Sequence, residues 1–478
     1  MDLIKSITAA FVILITISSS CIGQKNIIDH LDQQKEKYAD IAHQIWSNPE
    51  LGYQETKSSE LLKATLAEAG FSIESGVADI PTAFVASYGT GEPVIGILAE
   101  YDALPGISQD AVPERKEVVS GGNGHACGHH LFGAASTAAA ISTAKWLRES
   151  GQSGTIRLIG TPAEEGGAGK VYMVRAGLFD DIDAMLHWHP GNQNNAGAYS
   201  SLANKSAKFR FYGVASHAAV APENGRSALD GVEAMNYMVN LMREHVSSDT
   251  RIHYVITSGG EAPNVVPEYA EVFYYVRHPE MDLVRETFDR VVKAAEAAAL
   301  GTETRMEYEV IHGVYNLMPN KALASVVYKN LSTLGGFQYS PEEEAFAQEI
   351  QATLPERSRR DLSLTNVVMP FKVIERGGGG STDVGDVSWV VPTAGLSTAT
   401  WVPGTSPHTW QAVAAGGMSI GHKGMMLAAK TLTLTAIDLY QNPETISKAA
   451  IELEKRVGSD FSYQALLGDR EPPLDYRK

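Results

Sequence analysis

The sequence predicts an α/β protein: a mostly parallel sheet covered by helices, with a smaller α+β, ferredoxin-like domain inserted into it. Three observations lead there. Strand-like and helix-like runs alternate through the first 200 residues, as they do when helices cross between parallel strands. From about Lys205 the order becomes strand–helix–strand–strand–helix–strand, the split βαβ arrangement. With 478 residues, 44% of them hydrophobic, the chain can bury the cores of two or three domains, and its composition excludes a disordered chain.

Residues 1–23 read as an address. Lys5 precedes the apolar run 7–17, too short to span a bilayer but long enough for a signal-peptide core. Small residues follow at Ser18, Ser19, Ser20, Cys21 and Gly23. Cleavage after Gly23 gives a freely secreted chain; cleavage before Cys21 gives a lipidated one. Both predict export in a bacterium, to the periplasm or to a lipid anchor in the cell envelope, with no membrane span. The mature chain opens with helices over 26–69, ending at Gly70. Strand-like segments TAFVASYG and PVIGILAEYDALP follow, then the long small-residue helix LFGAASTAAAISTAKWLRES. TIRLIGTPAEEGG is a buried strand entering a glycine-rich turn, and DAMLHWHP is another strand. The inserted domain takes residues 205–315, leaving 24–204 and 316–478 as two parts of the larger domain. Helices KALASVVYKNLSTLG and GMSIGHKGMMLAAKTLTLTAIDLYQ return the chain to that domain.

The net charge of −17 argues against nucleic acid, whose phosphates need a basic surface. Two cysteines, Cys21 and Cys127, exclude a disulfide framework. The chemistry-bearing clusters sit where strands end, the usual place for sites in such sheets. HACGHH, residues 125–130, offers Cys127 and His129 just before a helix, with His125 and His130 beside them. A thiolate and an imidazole at that spacing can face one ion. Glu164 and Glu165 form an adjacent pair in which one carboxylate can hold an ion and the other can take a proton. His187 and His189 share one face of a strand, so either is a candidate ligand. His408 follows the turn VPGTSP. The glycine run 377–380 is no phosphate loop, because no lysine followed by serine or threonine comes after it.

AEYDALPG, HACGHH, TPAEEGGAGK, SHAAVAPENGRSALD, APNVVPEYAEV and the late histidine occur in this order along nearly all of the mature chain. Together they resemble the aminoacylase and carboxypeptidase family of dinuclear metallopeptidases, in the amidohydrolase branch that cleaves N-acyl amino acids. The resemblance implies a metallopeptidase domain with an inserted dimerisation and lid domain. It implies two divalent ions per subunit, zinc or manganese, held by Cys127, His129, Glu165, His189 and His408. His189 is preferred to His187 because it keeps the family spacing from Asp183. Glu164 takes the place of the general base, and Asp102 of the acidic residue supporting the ligands. His217, Asn264 and Arg277 match substrate-binding positions, His217 often serving the partner subunit's site. His130 departs from the branch, which commonly has aspartate there. The implied substrate is a small amide, p-aminobenzoyl-glutamate among the candidates, and the implied assembly is a homodimer or a hetero-oligomer with a related subunit. A dipeptidase or carboxypeptidase, a catalytically silent binding protein and a partner-dependent subunit are the alternatives on the same fold.

Overall fold

The computed structural model describes residues 24–377 and 380–477. The export signal, 1–23, lies outside the described residues, as do two of the four glycines of 377–380.

The larger domain is built on a seven-stranded sheet in the order β1–β2–β4–β3–β5–β13–β6. Its strands are β1 (Ser72–Ser75), β2 (Phe84–Thr90), β3 (Val94–Ala99), β4 (Gly154–Gly160), β5 (Ala184–Gly191), β6 (Asn195–Ala196) and β13 (Thr393–Ala399). The four central strands, β4, β3, β5 and β13, are parallel. The outer pairings, β1–β2, β2–β4 and β13–β6, are antiparallel. The α/β expectation holds, with parallel pairing confined to the centre. Short links explain the edges: β1 and β2 are only a few residues apart, too few for the crossover that parallel strands need. Central strands such as VIGILA are buried along most of their length, as covered parallel strands are.

The helix His129–Ser150 is buried along most of its length because Gly, Ala, Ser and Thr leave little bulk on it. It packs against the central strands and the helices Lys35–Ser47, Thr56–Glu68 and Ser419–Gln441. Among the described residues no helix is long and apolar enough to cross a membrane.

The smaller sheet holds β8 (Ala203–Tyr212), β9 (Arg251–Ser258), β10 (Tyr269–His278) and β11 (Arg305–Val314), ordered β11–β8–β10–β9 and antiparallel throughout. Helices Ala228–Met242 and Met281–Thr302 pack on it, giving a separate core around Phe209, Phe211, Val272, Tyr274 and Phe288. A short parallel pair, β7 (Ala198–Tyr199) with β12 (Val373–Ile374), lies beside the passage between the two sheets.

Candidate metal centre

All four central strands point their carboxyl ends to one side. β3 runs straight into Glu100 and Asp102, and β4 stops four residues before Glu164. β5 carries His187 and His189, and the segment after β13 leads to His408. Cys127 and His129 come from the start of the His129–Ser150 helix. Gly128 makes that start possible: it has φ 80°, and a Cβ there would lie 2.6 Å from Pro190 Cβ. The close approach brings Cys127 Sγ within 3.4 Å of His189 Nε2.

The imidazoles are held through one nitrogen each. His129 Nδ1 donates to Asp102 Oδ1 at 2.8 Å, and His189 Nδ1 donates to the Pro190 carbonyl at 2.7 Å. Each Nε2 is then left with its lone pair toward the centre. Asp102 has a second task, since its Oδ2 accepts the Glu165 amide at 2.8 Å. His408 Nε2 stands 3.2 Å from Glu165 Oε1. The backbone of His408 is left-handed, φ 60°, and its amide bonds the Ala126 carbonyl beside Cys127.

Among the described residues three overlapping groups of donor atoms result, each with its atoms within 4.8 Å: Cys127, His129 and His189; Cys127, Glu165 and His408; His129, Glu164 and Glu165. Cys127 belongs to two of them. The donor set suits divalent ions. His129 Nε2 is buried and makes no hydrogen bond, although Glu100 Oε2 lies 3.1 Å away, and Glu165 Oε1 is likewise without a hydrogen bond. Buried polar atoms left so are the ones an ion would satisfy.

Burial, with Glu100, Glu165 and Asp383 nearby, pushes the Glu164 carboxyl well above the usual carboxylate range. Burial would raise Glu165 too, but His408 and His129 bring it down to about 2. Two adjacent carboxyls thus have opposite proton affinities, the condition for separate roles.

The remaining candidates fall elsewhere. His187 is on the face of His189 but joins none of the three groups; burial lowers its basicity to about 4. His125 bonds the Ile45 carbonyl and ties the loop before the helix His129–Ser150 to the helix Lys35–Ser47, and His130 bonds the Gly416 carbonyl and ties two helices together. His217 is exposed and bridges Val265, the neighbour of Asn264, so these two lie together on the small domain. Arg277 sits on β10 with its Nε buried and without a hydrogen bond, its guanidinium 5.4 Å from the Tyr275 ring centre. None of the three joins the donor groups of its own chain. A cavity of about 250 Å³ opens beside His189, bordered by Asn192, Gln193, Ser397, Trp401 and Pro407.

The sequence profile of peptidase family M20/M25/M40 matches residues 96–355, more than half of the chain. The chain belongs to that family. Membership in the M20 family makes it a hydrolase of C–N bonds. Among its relatives, one of the subunits of the p-aminobenzoyl-glutamate hydrolase of Escherichia coli (strain K12) is 45% identical over 440 residues, covering 87% of this chain and 91% of the relative. The Xaa-Arg dipeptidase of Mus musculus is 30% identical, covering 88% of this chain and 89% of the relative. A Bacillus subtilis dinuclear metal binding peptidase of the M20 family has the same fold, with a TM-score of 0.59 at 18% identity over 86% of this chain and 99% of that one.

Sequence reasoning missed a buried charge network under this M20 centre. Lys170 Nζ lies 2.7 Å from both Glu100 Oε1 and Asp383 Oδ1, with all three side chains almost fully buried. Glu100 was within sight, two residues before Asp102 in AEYDALPG. Lys170 ends the motif TPAEEGGAGK, but Asp383 is 213 residues away and no spacing joins the two.

Proposed function

We propose that the protein is a two-metal amidohydrolase that cleaves N-acyl amino acids, with p-aminobenzoyl-glutamate the first substrate to try. The observation that carries this reading is the convergence of Cys127, His129, Glu165, His189 and His408 around one small volume, with Glu164 at its edge. The 45% identity to the p-aminobenzoyl-glutamate hydrolase chain supports the substrate choice. Zinc or manganese fits the mixed sulfur, nitrogen and oxygen donors.

Bound divalent ions supply positive charge that keeps Cys127 as thiolate, polarises the scissile carbonyl and makes water more acidic. The protein does the rest. Glu164 takes a proton from the attacking water, whose oxygen bonds to the carbonyl carbon. As the C–N bond breaks, Glu164 returns that proton to the leaving nitrogen, giving a carboxylic acid and a free amine. Asp102 fixes the His129 ring and the Glu165 peptide. His217 of the partner subunit, with Asn264 beside it, shares the charge that builds on the carbonyl oxygen. Arg277, whose buried Nε makes no hydrogen bond, pairs with the carboxylate of the amino-acid half.

Glu164→Gln tests the base directly. The variant should keep its metal and lose at least about a hundredfold in kcat. Full-rate hydrolysis would remove Glu164 from this role. A second reading, a dipeptidase, is favoured by the Xaa-Arg dipeptidase likeness. Higher kcat/KM on dipeptides than on N-acyl amino acids would select it.

Two wider proposals accompany this reading. β9 is an edge strand that leaves Val255 and Ile256 exposed, and Tyr237 and Leu241 are exposed on the helix Ala228–Met242. We assign this apolar edge to subunit pairing, with a second copy or with a related subunit. A monomer in sedimentation at micromolar concentration, alone or mixed with a related subunit, would contradict it. Residues 1–23 direct export to the bacterial envelope; recovery of the chain in the cytoplasm with residue 1 intact would contradict that.

A further inference from the structure

Residues 459–477 belong to neither sheet, yet they touch both domains. Leu466 is buried in the small-domain core, where a Cβ on Gly313 would lie 2.8 Å from its own Cβ. Arg470 donates to the Val310 carbonyl on β11. Arg175, from the larger domain, donates to the carbonyls of Gly468 and Arg470 at 2.9 and 2.8 Å. The segment then reaches the turn that carries Glu164 and Glu165. Tyr476 Oη and Arg477 Nη2 both donate to the Glu165 carbonyl, at 3.1 and 2.7 Å. Tyr476 packs edge-on against Tyr53, ring centres 5.6 Å apart. Its hydroxyl fills the space that a Cβ on Gly52 would need.

The turn needs holding. Ala163 and Ala168 bracket it at φ 59° and 56°, a left-handed conformation that is unfavourable for a residue with a Cβ. Gly166 between them has φ 94°, with Tyr476 and Arg477 packed where its Cβ would point. Glu55 accepts the Ala163 amide, Asp102 accepts the Glu165 amide and Tyr53 donates to the Gly167 carbonyl. Those three ties come from the larger domain. The tie at the Glu165 carbonyl comes from the 459–477 segment, which is also anchored in the smaller domain.

We propose that residues 459–477 form a strap that positions the two active carboxylates, with Tyr476 and Arg477 as its positioning residues. Their hydrogen bonds to the catalytic turn go to the Glu165 backbone carbonyl and not to a side chain. They fix the peptide between Glu165 and Gly166, so that the Glu164 and Glu165 side chains leave the backbone at set angles. The position of the smaller domain is thereby linked to the geometry of the carboxylate pair. This deepens the hydrolytic reading above and rests on it for the catalytic consequence alone.

The test compares the metal-loaded wild type with a chain lacking residues from 475 onward, with the double variant Tyr476→Phe/Arg477→Met, and with Arg477→Lys. Hydrogen exchange of the 163–168 amides and steady-state kinetics are the two readouts. In the first two variants these amides should exchange at least about tenfold faster, while amides of β3 and β5 keep wild-type rates. kcat should fall at least about tenfold with KM within about threefold, because an interaction away from the substrate is lost. Arg477→Lys, which can still donate to the carbonyl, should recover most of both. Unchanged exchange at 163–168 overturns the strap, and so does a loss confined to KM. A wild type inactive on every amide tried sinks the hydrolytic reading, and the exchange arm still judges the strap.

Discussion

Asp102 shows how much one buried carboxylate can organise. One oxygen orients His129 and the other holds the Glu165 amide, so two candidate ligands, one at a helix start and one in the turn after β4, share one support. Asp102→Asn keeps the shape but offers only one accepting oxygen. Metal affinity should fall about 10–100-fold, as measured by chelator competition, with the melting temperature changing far less than affinity. Affinity equal to wild type would show that Asp102 is a packing residue. Residue-scale chemistry was legible where it was local. HACGHH, the Glu164–Glu165 pair and HWHP announced themselves by composition. Strand alternation puts His187 and His189 on one face and the spacing from Asp183 favours His189, the one whose Nε2 lies 3.4 Å from Cys127 Sγ. His125 and His130 read as members of the cluster by proximity in sequence. His125, in the loop before the helix, turns to the Ile45 carbonyl, and His130, on the helix's first turn, turns to the Gly416 carbonyl.

At the scale of elements, the centre depends on how closely a helix start can approach a strand end. Gly128 carries this contact against Pro190. Gly128→Ala should destabilise the fold by about 1–3 kcal/mol, through a left-handed alanine and a 2.6 Å approach that must be relieved. Urea unfolding measures it, and a change below about 0.5 kcal/mol would mean that the helix start yields freely. The elements bearing strong periodicity were legible: the small-residue helix, the apolar central strands and the strand–helix–strand–strand–helix–strand run. The edge pairings were not, because β1 and β6 have only four and two residues and no pattern of their own. The helix Pro341–Thr353 had a readable start, with Ser340 and Glu343 forming a capping box and proline at its first position. Its three consecutive glutamates hid the apolar face that Phe346, Ala347 and Ile350 bury.

Across the whole molecule, Asp386 stands where the parts meet. It accepts from the Tyr315 amide, just after β11, and from the Tyr463 hydroxyl in the 459–477 segment. Burial pushes its carboxyl up to about 7 despite those bonds. Between pH 5 and 7 the folded chain therefore keeps a proton that the unfolded chain has released, and this group's contribution to stability falls as pH rises. Measured against Asp386→Asn, wild-type stability should drop by about 2 kcal/mol across that window and level off above it. A pH-independent difference would contradict the buried acid. Such long-range meetings are what the sequence could not reveal. Tyr476 and Arg477 lie over 300 residues from the carbonyl they hold, and no periodicity marks them. The order of motifs did reveal part of the larger plan, because AEYDALPG, TPAEEGGAGK, HWHP and the late histidine each fall at the end of a strand of the same parallel sheet. On the proposed function, these strand ends hold two ions that serve hydrolysis. Titrating chelator-stripped protein with zinc or manganese, while following hydrolysis of an N-acyl amino acid, tests it most directly. The prediction is two equivalents bound per chain, with activity absent before loading and restored as the sites fill. Hydrolysis at full rate by the stripped protein, or saturation at one equivalent, would contradict it.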